Sequence, residues 1–118
     1  MATVLIVEDD PLIAMTAVDM IQEIGHDVIE ARSGEQALTI LASGERIDLL
    51  MTDHAMPGMT GVDLAREVRR LYPSLPILIA TGYPELPEAD ELEIVCVYKP
   101  YVEEQLAAEI RQLLANRS

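Results

Sequence analysis

The stretch VLIVEDDP, residues 4–11, joins four apolar residues to three carboxylates and a proline. Its apolar part has the unbroken hydrophobicity of a strand that is covered on both faces of a sheet. Pro11 suits the first position of a helix, because the N–H that proline lacks would have no helical partner there. Residues 4–11 therefore predict a buried strand that ends in acidic side chains just before a helix.

Apolar runs and amphipathic segments alternate along the whole chain, a pattern typical of βαβ units around a parallel sheet. We predict one α/β domain over residues 1–118, because this length can build one core and is too short for two ordinary domains. The predicted strands are Thr3 to Val7, Asp27 to Ala31, Ile47 to Thr52, Ile77 to Thr81 and Ile94 to Tyr98.

Four helices are predicted from apolar spacing and from the residues at their ends. The first runs from Pro11 to a cap at Gly25, and the second follows Ser33, which with Gln36 resembles a capping box. The third follows Thr60, and the last begins near Val102.

A further helix, the fourth of five in chain order, would fall between residues 82 and 93. This segment contains Pro84, Pro87 and five acidic residues. A proline inside a helix costs about 3 kcal/mol. We therefore expect this helix to be short, or the segment to be a mobile acidic loop.

The net charge of −13 makes nucleic acids and anionic membranes poor partners, because both would repel this surface. No apolar run approaches the roughly 20 residues that span a bilayer, and the N-terminus lacks the pattern of a signal peptide. We expect a cytoplasmic protein. The single cysteine, Cys96, excludes an internal disulfide bond.

Polar residues follow four of the predicted strands. Asp9 follows the first, Asp53 the third, Thr81 ends the fourth and Lys99 follows the fifth. The carboxyl ends of parallel strands share one edge of a sheet, where ligands bind. Two carboxylates about 4 Å apart would repel by about 4 kcal/mol at an effective dielectric of 20. A cation between them relieves this repulsion, and oxygen ligands favour Mg²⁺.

These residues occur in four motifs that together resemble the receiver domains of two-component response regulators. The motifs are VEDDP at 7–11, TDHAMPGMTG at 52–61, ATGY at 80–83 and YKPY at 98–101, and the similarity covers essentially the whole chain. The resemblance implies a flavodoxin-like (βα)5 fold with a doubly wound parallel sheet in strand order 2-1-3-4-5. We expect a receiver domain over residues 1–118 with no output domain, because the last predicted helix runs to the end of this sequence.

The resemblance further implies the chemistry of the site. Asp53 would accept a phosphoryl group, Lys99 would contact that group, and Thr81 would hydrogen-bond to it. Asp9, Asp53 and the carbonyl of Ala55 would bind Mg²⁺ directly, and Glu8 would hold a metal-bound water. The Lys99–Pro100 peptide bond is expected to be cis. The donor would be a sensor histidine kinase, a histidine phosphotransfer protein or a small molecule such as acetyl phosphate.

Several positions depart from the common family pattern. Cys96 stands where many members have an aromatic residue that moves with the threonine, so the usual readout is missing. The ATGY motif is similar to that of a receiver subset with a Phe-Ala-Thr-Gly-Tyr run. Ala55 cannot orient an attacking water and Tyr83 could shield the site, which predicts slow autodephosphorylation. Tyr101 could pack against the last helix or contact a partner.

Two functions remain open on the sequence alone. The first is a phosphoacceptor that acts as a switch, shuttle or phosphate sink and docks on a downstream protein; it would catalyse only its own phosphorylation and slow dephosphorylation. The second is a pseudo-receiver, an interaction module whose conformation ignores phosphate. A flavin carrier is disfavoured because the acidic side chains of residues 8–10 would repel a flavin phosphate.

Overall fold

The computed structural model of the chain describes residues 2–82, 92 and 94–115. They form a five-stranded parallel sheet with helices on both faces, in the strand order β2-β1-β3-β4-β5. This order and the parallel pairing confirm the predicted flavodoxin-like fold. The elements are β1 (Thr3–Val7), α1 (Pro11–Ile24), β2 (Asp27–Ala31), α2 (Gly34–Ala42), β3 (Leu49–Asp53), α3 (Gly61–Leu71), β4 (Ile77–Thr81), β5 (Val95–Tyr98) and α4 (Glu103–Ala115).

Three of the predicted strands have the predicted bounds, and two differ slightly. β3 begins at Leu49 rather than Ile47 and includes Asp53, and β5 begins at Val95. The helix predicted to be short or disordered falls on residues 82–93, which lie almost entirely outside the described residues. None of the described helices is both long enough and apolar enough to cross a membrane.

Each face of the sheet carries its own apolar cluster, because side chains alternate between the two faces along a strand. One cluster packs α2 and α3 against inward residues such as Leu5 and Leu50. The other packs α1 and α4 against residues such as Ile6 and Leu78. The central strands are therefore buried on both sides, which explains why their sequences are nearly continuous apolar runs.

The helix ends show why the helices begin where they do. Asp10 accepts hydrogen bonds from the first backbone N–H groups of α1, and Gly25 ends that helix with a φ of 110°. Thr60 and Asp63 form a reciprocal capping box at α3. Ser33 caps α2 through the N–H of Gln36, but the Gln36 side chain accepts from the N–H of Arg32 instead of closing the box.

The edge of the sheet at the amino ends of β1 and β3 is held by a buried carboxylate that the sequence patterns did not predict. The Oδ2 of Asp48 accepts a hydrogen bond from the N–H of Thr3 at 2.9 Å. The N–H of Asp48 in turn donates to the carbonyl of Thr3 at 2.8 Å. Asp48 thus extends the pairing of β1 and β3 by one residue, and it does so partly with its side chain.

We expect the Asp48→Ala variant to lose about 1–3 kcal/mol in free energy of unfolding, because the partly buried N–H of Thr3 would lose its acceptor. Asp48→Asn keeps an acceptor oxygen and should lose clearly less. Urea denaturation of both variants measures the difference. Equal losses would show that the negative charge, rather than the hydrogen bond, accounts for the stabilisation.

Candidate functional site

The candidate site lies at the edge of the sheet where the carboxyl ends of the strands meet. The strand register pairs Val7 with Thr52 and Thr81 with Tyr98, so the residues that follow these pairs come together. Glu8 and Asp53 are buried there at 4% and 8% exposure, and Thr81 is buried at the end of β4. Glu8, Asp53 and Lys99, which are far apart in sequence, line one small pocket.

Three carboxylates gather in this pocket. Glu8, Asp9 and Asp53 each offer an oxygen, and these oxygens all lie within 4.8 Å of one another. Such a group is unfavourable unless protons or cations neutralise part of its charge. Oxygen ligands at this spacing, two of them on buried residues, fit a hard divalent cation such as Mg²⁺. Asp10 is not a member of the group, because its side chain caps α1.

The ammonium group of Lys99 partly neutralises the cluster. Its Nζ lies 2.6 Å from Oδ1 of Asp53, in a charge-assisted hydrogen bond. The backbone N–H of Lys99 donates to the carbonyl of Thr81 at 2.8 Å, which ties the lysine to β4. The Lys99–Pro100 peptide bond is cis, as expected.

Within the cluster, the pKa of Glu8 is raised by its surroundings. Its pKa is raised from 4.5 to about 7, chiefly by burial, and the nearby charge of Asp53 and a hydrogen bond with Asp9 act in the same direction. The backbone N–H of Asp10 opposes this change by donating to Oε2 of Glu8 at 3.1 Å. Near neutral pH this carboxyl therefore changes between a proton-bound form and a form that attracts cations.

The other predicted residues lie in different parts of the structure. Ala55 is exposed in the loop of residues 54–60, two positions beyond Asp53. Tyr101 lines a small cavity together with Glu8, Asp53 and Lys99, and burial and these carboxylates raise its pKa.

Tyr101 also packs against the apolar cluster of α1 and α4, which agrees with one of the two roles predicted for it. Cys96 is half-buried and contacts the cluster on the opposite face, with α2 and α3. Tyr83 lies outside the described residues.

Gly61 belongs to the site, although the sequence motif predicts no role for it. A Cβ at this position would lie 2.5 Å from the carbonyl oxygen of Asp53 and 2.8 Å from the Cα of His54. The N–H of Gly61 also donates to the carbonyl of His54 at 2.9 Å. The backbone of α3 can approach Asp53 this closely only because residue 61 has no side chain. The one signal in the sequence was the glycine that ends the motif at residues 52–61.

The raised pKa of Glu8 predicts a pH-dependent stability in the absence of divalent metal. The folded state binds a proton at Glu8 that the unfolded state releases, so this contribution is fully present below pH 4.5 and is lost as the pH rises through about 7. Glu8→Gln should therefore exceed the wild type in free energy of unfolding at pH 8, by up to about 3 kcal/mol, and the gain should shrink toward pH 5.

Urea denaturation at several pH values tests this expectation. Glu45→Gln, at an exposed position, is the matched control and should show no such pH-dependent gain. A gain at Glu8→Gln that stays constant with pH would contradict the assignment of the buried charge to Glu8.

Comparison with known proteins agrees with this geometry. A family model described as the response regulator receiver domain matches residues 4–111. The chain is 36% identical over 121 aligned positions to the sensor kinase CckA of Brucella abortus, a match that covers 98% of this chain and 13% of that protein. The chain thus spans only a small part of this longer relative.

Solved structures show the same likeness. The response regulator TrrA of Thermotoga maritima, in a complex with Mg(2+)-BeF, superposes with a TM-score of 0.88 at 29% identity, covering 97% of this chain and 100% of that one. The chemotaxis protein CheY4 of Vibrio cholerae superposes with a TM-score of 0.86 at 30% identity, covering 97% and 99%. The sequence motifs, the fold and the family match agree, and the chain belongs to the response regulator receiver domains.

Proposed function

We propose that this receiver domain is a Mg²⁺-dependent phosphoacceptor, with Asp53 as the residue that takes the phosphoryl group. The observation that carries the proposal is the meeting of three carboxylates within 4.8 Å with a lysine ammonium 2.6 Å from Asp53. Phosphoryl transfer requires a positioned nucleophile and neutralisation of the phosphoryl charge. The pocket supplies both from residues of this chain.

The metal would be held by the carboxylates of Asp9 and Asp53 and by the carbonyl of Ala55, with Glu8 retaining a bound water. When bound, Mg²⁺ neutralises the charge on the phosphoryl oxygens and on the carboxylates around them. The solved structure of the TrrA relative, in a complex with Mg(2+)-BeF, supports this assignment. A bound Mg²⁺ ion would also offset the repulsion among the carboxylates.

In the proposed transfer, a carboxylate oxygen of Asp53 attacks the phosphorus atom of a phosphohistidine. A P–O bond forms as the P–N bond breaks, and the imidazole leaves with the electron pair of that bond. Lys99 exchanges its contact with Asp53 for one with a phosphoryl oxygen. The hydroxyl of Thr81, at the buried end of β4, donates a hydrogen bond to another phosphoryl oxygen.

Slow loss of the phosphoryl group is part of the proposal. The side chain two positions beyond the acceptor is the methyl group of Ala55, which is exposed and cannot orient a water molecule. Hydrolysis would then depend on water that no side chain at this position activates. A long-lived phosphoryl group suits a switch or a shuttle that passes its signal on by protein contact.

A histidine kinase or phosphotransfer protein is the proposed donor, and an apolar surface beside the site supports a protein partner. Leu12 and Met15 of α1 are exposed at 73% and 54%. Next to them lies an open groove of about 290 Å³ lined by Ile13, Thr16, Met20, Lys99, Pro100 and Tyr101. The groove shares Lys99 with the pocket, so a protein that brings phosphohistidine to Asp53 would cover this surface.

The alternative function is a pseudo-receiver that binds a partner without phosphorylation. Cys96 favours it, because this small side chain replaces the aromatic residue that relays the phosphorylated state in many members of the family. The two functions differ in one respect: only the phosphoacceptor needs the carboxylate of Asp53 for its conformational change.

We expect the wild-type protein to gain one phosphoryl group when incubated with Mg²⁺ and acetyl phosphate, and Asp53→Asn to gain none. Intact-mass spectrometry measures the adduct, and a time course after removal of the donor should show decay over minutes or longer. Decay within seconds would contradict slow hydrolysis. A wild type that acquires no phosphoryl group from acetyl phosphate or from any kinase of a purified panel would favour the pseudo-receiver.

The donor surface can be separated from the chemistry with the double variant Leu12→Ala/Met15→Ala. We expect it to react with acetyl phosphate at the wild-type rate, because this donor is too small to need the surface. Transfer from the kinase that labels the wild type fastest should fall roughly tenfold or more, as at other buried apolar anchors. Thr39→Ala on α2 is the control. An equal loss with both donors would place the defect in the pocket itself.

A further inference from the structure

The loop of residues 54–60 carries the proposed metal ligand Ala55 and is fixed at both ends. Its first end follows Asp53, which pairs with Ala80 in the sheet. Its second end is held by the hydrogen bond from Gly61 to the carbonyl of His54. Between these ends Ala55 and Pro57 are exposed, so the sheet does not position the middle of the loop.

Two methionines attach this loop to the body of the domain. Met56 is buried in the cluster of α2 and α3, and Met59 is half-buried against the same cluster. Met59 lies directly over Gly34, the first residue of α2. A Cβ built on Gly34 would be 2.5, 3.0 and 3.1 Å from the Sδ, Cγ and Cβ atoms of Met59. The methionine side chain therefore lies along the bare backbone of residue 34.

Gly34 is not required by its own backbone conformation. The described glycines with positive φ are Gly25, Gly44 and Gly58, and Gly34 is not among them. Glycine is also a poorer helix residue than alanine, by up to about 1 kcal/mol. The missing side chain at this buried position therefore serves the contact with Met59 rather than a turn.

We infer that the contact between Gly34 and Met59 positions the loop of residues 54–60 for metal binding. Gly34 and Met59 are then positioning residues for the Mg²⁺ site, although neither touches the metal or the phosphoryl group. The contact links the start of α2 to the loop that carries Ala55. This inference rests on the proposed function, since it assumes that the carbonyl of Ala55 is a ligand.

The inference is tested by the affinity for Mg²⁺ itself, measured without any donor from the rise in free energy of unfolding with Mg²⁺ concentration. It is tested also by the Mg²⁺ concentration that gives half the maximal rate of Asp53 phosphorylation by acetyl phosphate, followed by intact mass. Gly34→Ala adds a methyl group that displaces the Met59 side chain, and Met59→Ala removes the side chain that makes the contact. Each should raise the half-saturating Mg²⁺ concentration roughly tenfold, as other indirect supports of metal sites do. The maximal rate at saturating Mg²⁺ should stay close to that of the wild type.

Two further variants distinguish positioning from a general loss of packing. Met59→Leu keeps an apolar side chain of similar size and should remain near the wild-type value. Gly34→Ala/Met59→Ala should resemble either single variant, because both changes break the same contact, whereas independent effects would multiply to roughly 100-fold. Asp48→Ala, at the opposite edge of the sheet, is the control for lost stability and should leave the Mg²⁺ dependence unchanged.

Unchanged half-saturation in Gly34→Ala and Met59→Ala would overturn the inference, and so would multiplication of the two effects in the double variant. A shift in Asp48→Ala equal to that of the single variants would also overturn it, because stability alone would then explain the result. The proposed function fails separately, if the wild type shows no Mg²⁺-dependent phosphorylation in the same assay.

Discussion

Mutual repulsion among Glu8, Asp9 and Asp53 is the interaction that governs both the chemistry of the pocket and the stability of the domain. Three carboxylates within 4.8 Å are costly in a partly buried pocket, and one ammonium group, that of Lys99, offsets only part of the charge. The pocket therefore favours any added positive charge, whether a proton on Glu8 or a divalent cation. This imbalance suits the pocket to a divalent cation, and it lowers the stability of the domain when neither a proton nor a cation neutralises it.

The sheet can tolerate this repulsion because the amino ends and the carboxyl ends of its strands have different roles. At the amino ends of β1 and β3, Asp48 satisfies the backbone of Thr3 and closes the pairing. At the carboxyl ends, the strands stop and leave acidic side chains together. Between the edges, the central strands are buried under helices on both faces. A rigid apolar layer thus holds charged groups in positions that they would not adopt by themselves.

Two glycines help to position the loop beside the pocket. Each does so because it lacks a side chain and lets a neighbour approach closely, and neither has a positive φ. Gly61 lets the start of α3 approach the carbonyl of Asp53, and Gly34 lets Met59 lie on the start of α2. In both cases a single methyl group would collide with a neighbour. The difference is the neighbour's freedom to move, since Met59 is a flexible side chain and the backbone of Asp53 is part of the sheet.

Much of the domain follows from local sequence. The alternation of strands and helices, the caps at Asp10 and Thr60, and the residues that meet at the edge of the sheet follow from periodicity, cap chemistry and the parallel sheet rule. The strand order came from the resemblance to receiver domains. β3 begins two residues later than its apolar run predicts, because the run includes Ile47 while the sheet pairing begins only at Leu49.

Tertiary structure alone established the contacts that connect distant segments. The hydrogen bond between Asp48 and Thr3, the seat of Met59 on Gly34 and the approach of Gly61 to Asp53 join groups whose facing atoms depend on how elements pack. The raised pKa of Glu8 likewise depends on burial and on a charge 45 residues away. Local patterns specify which face of a strand or helix is apolar. They do not specify which atoms of another element that face will contact.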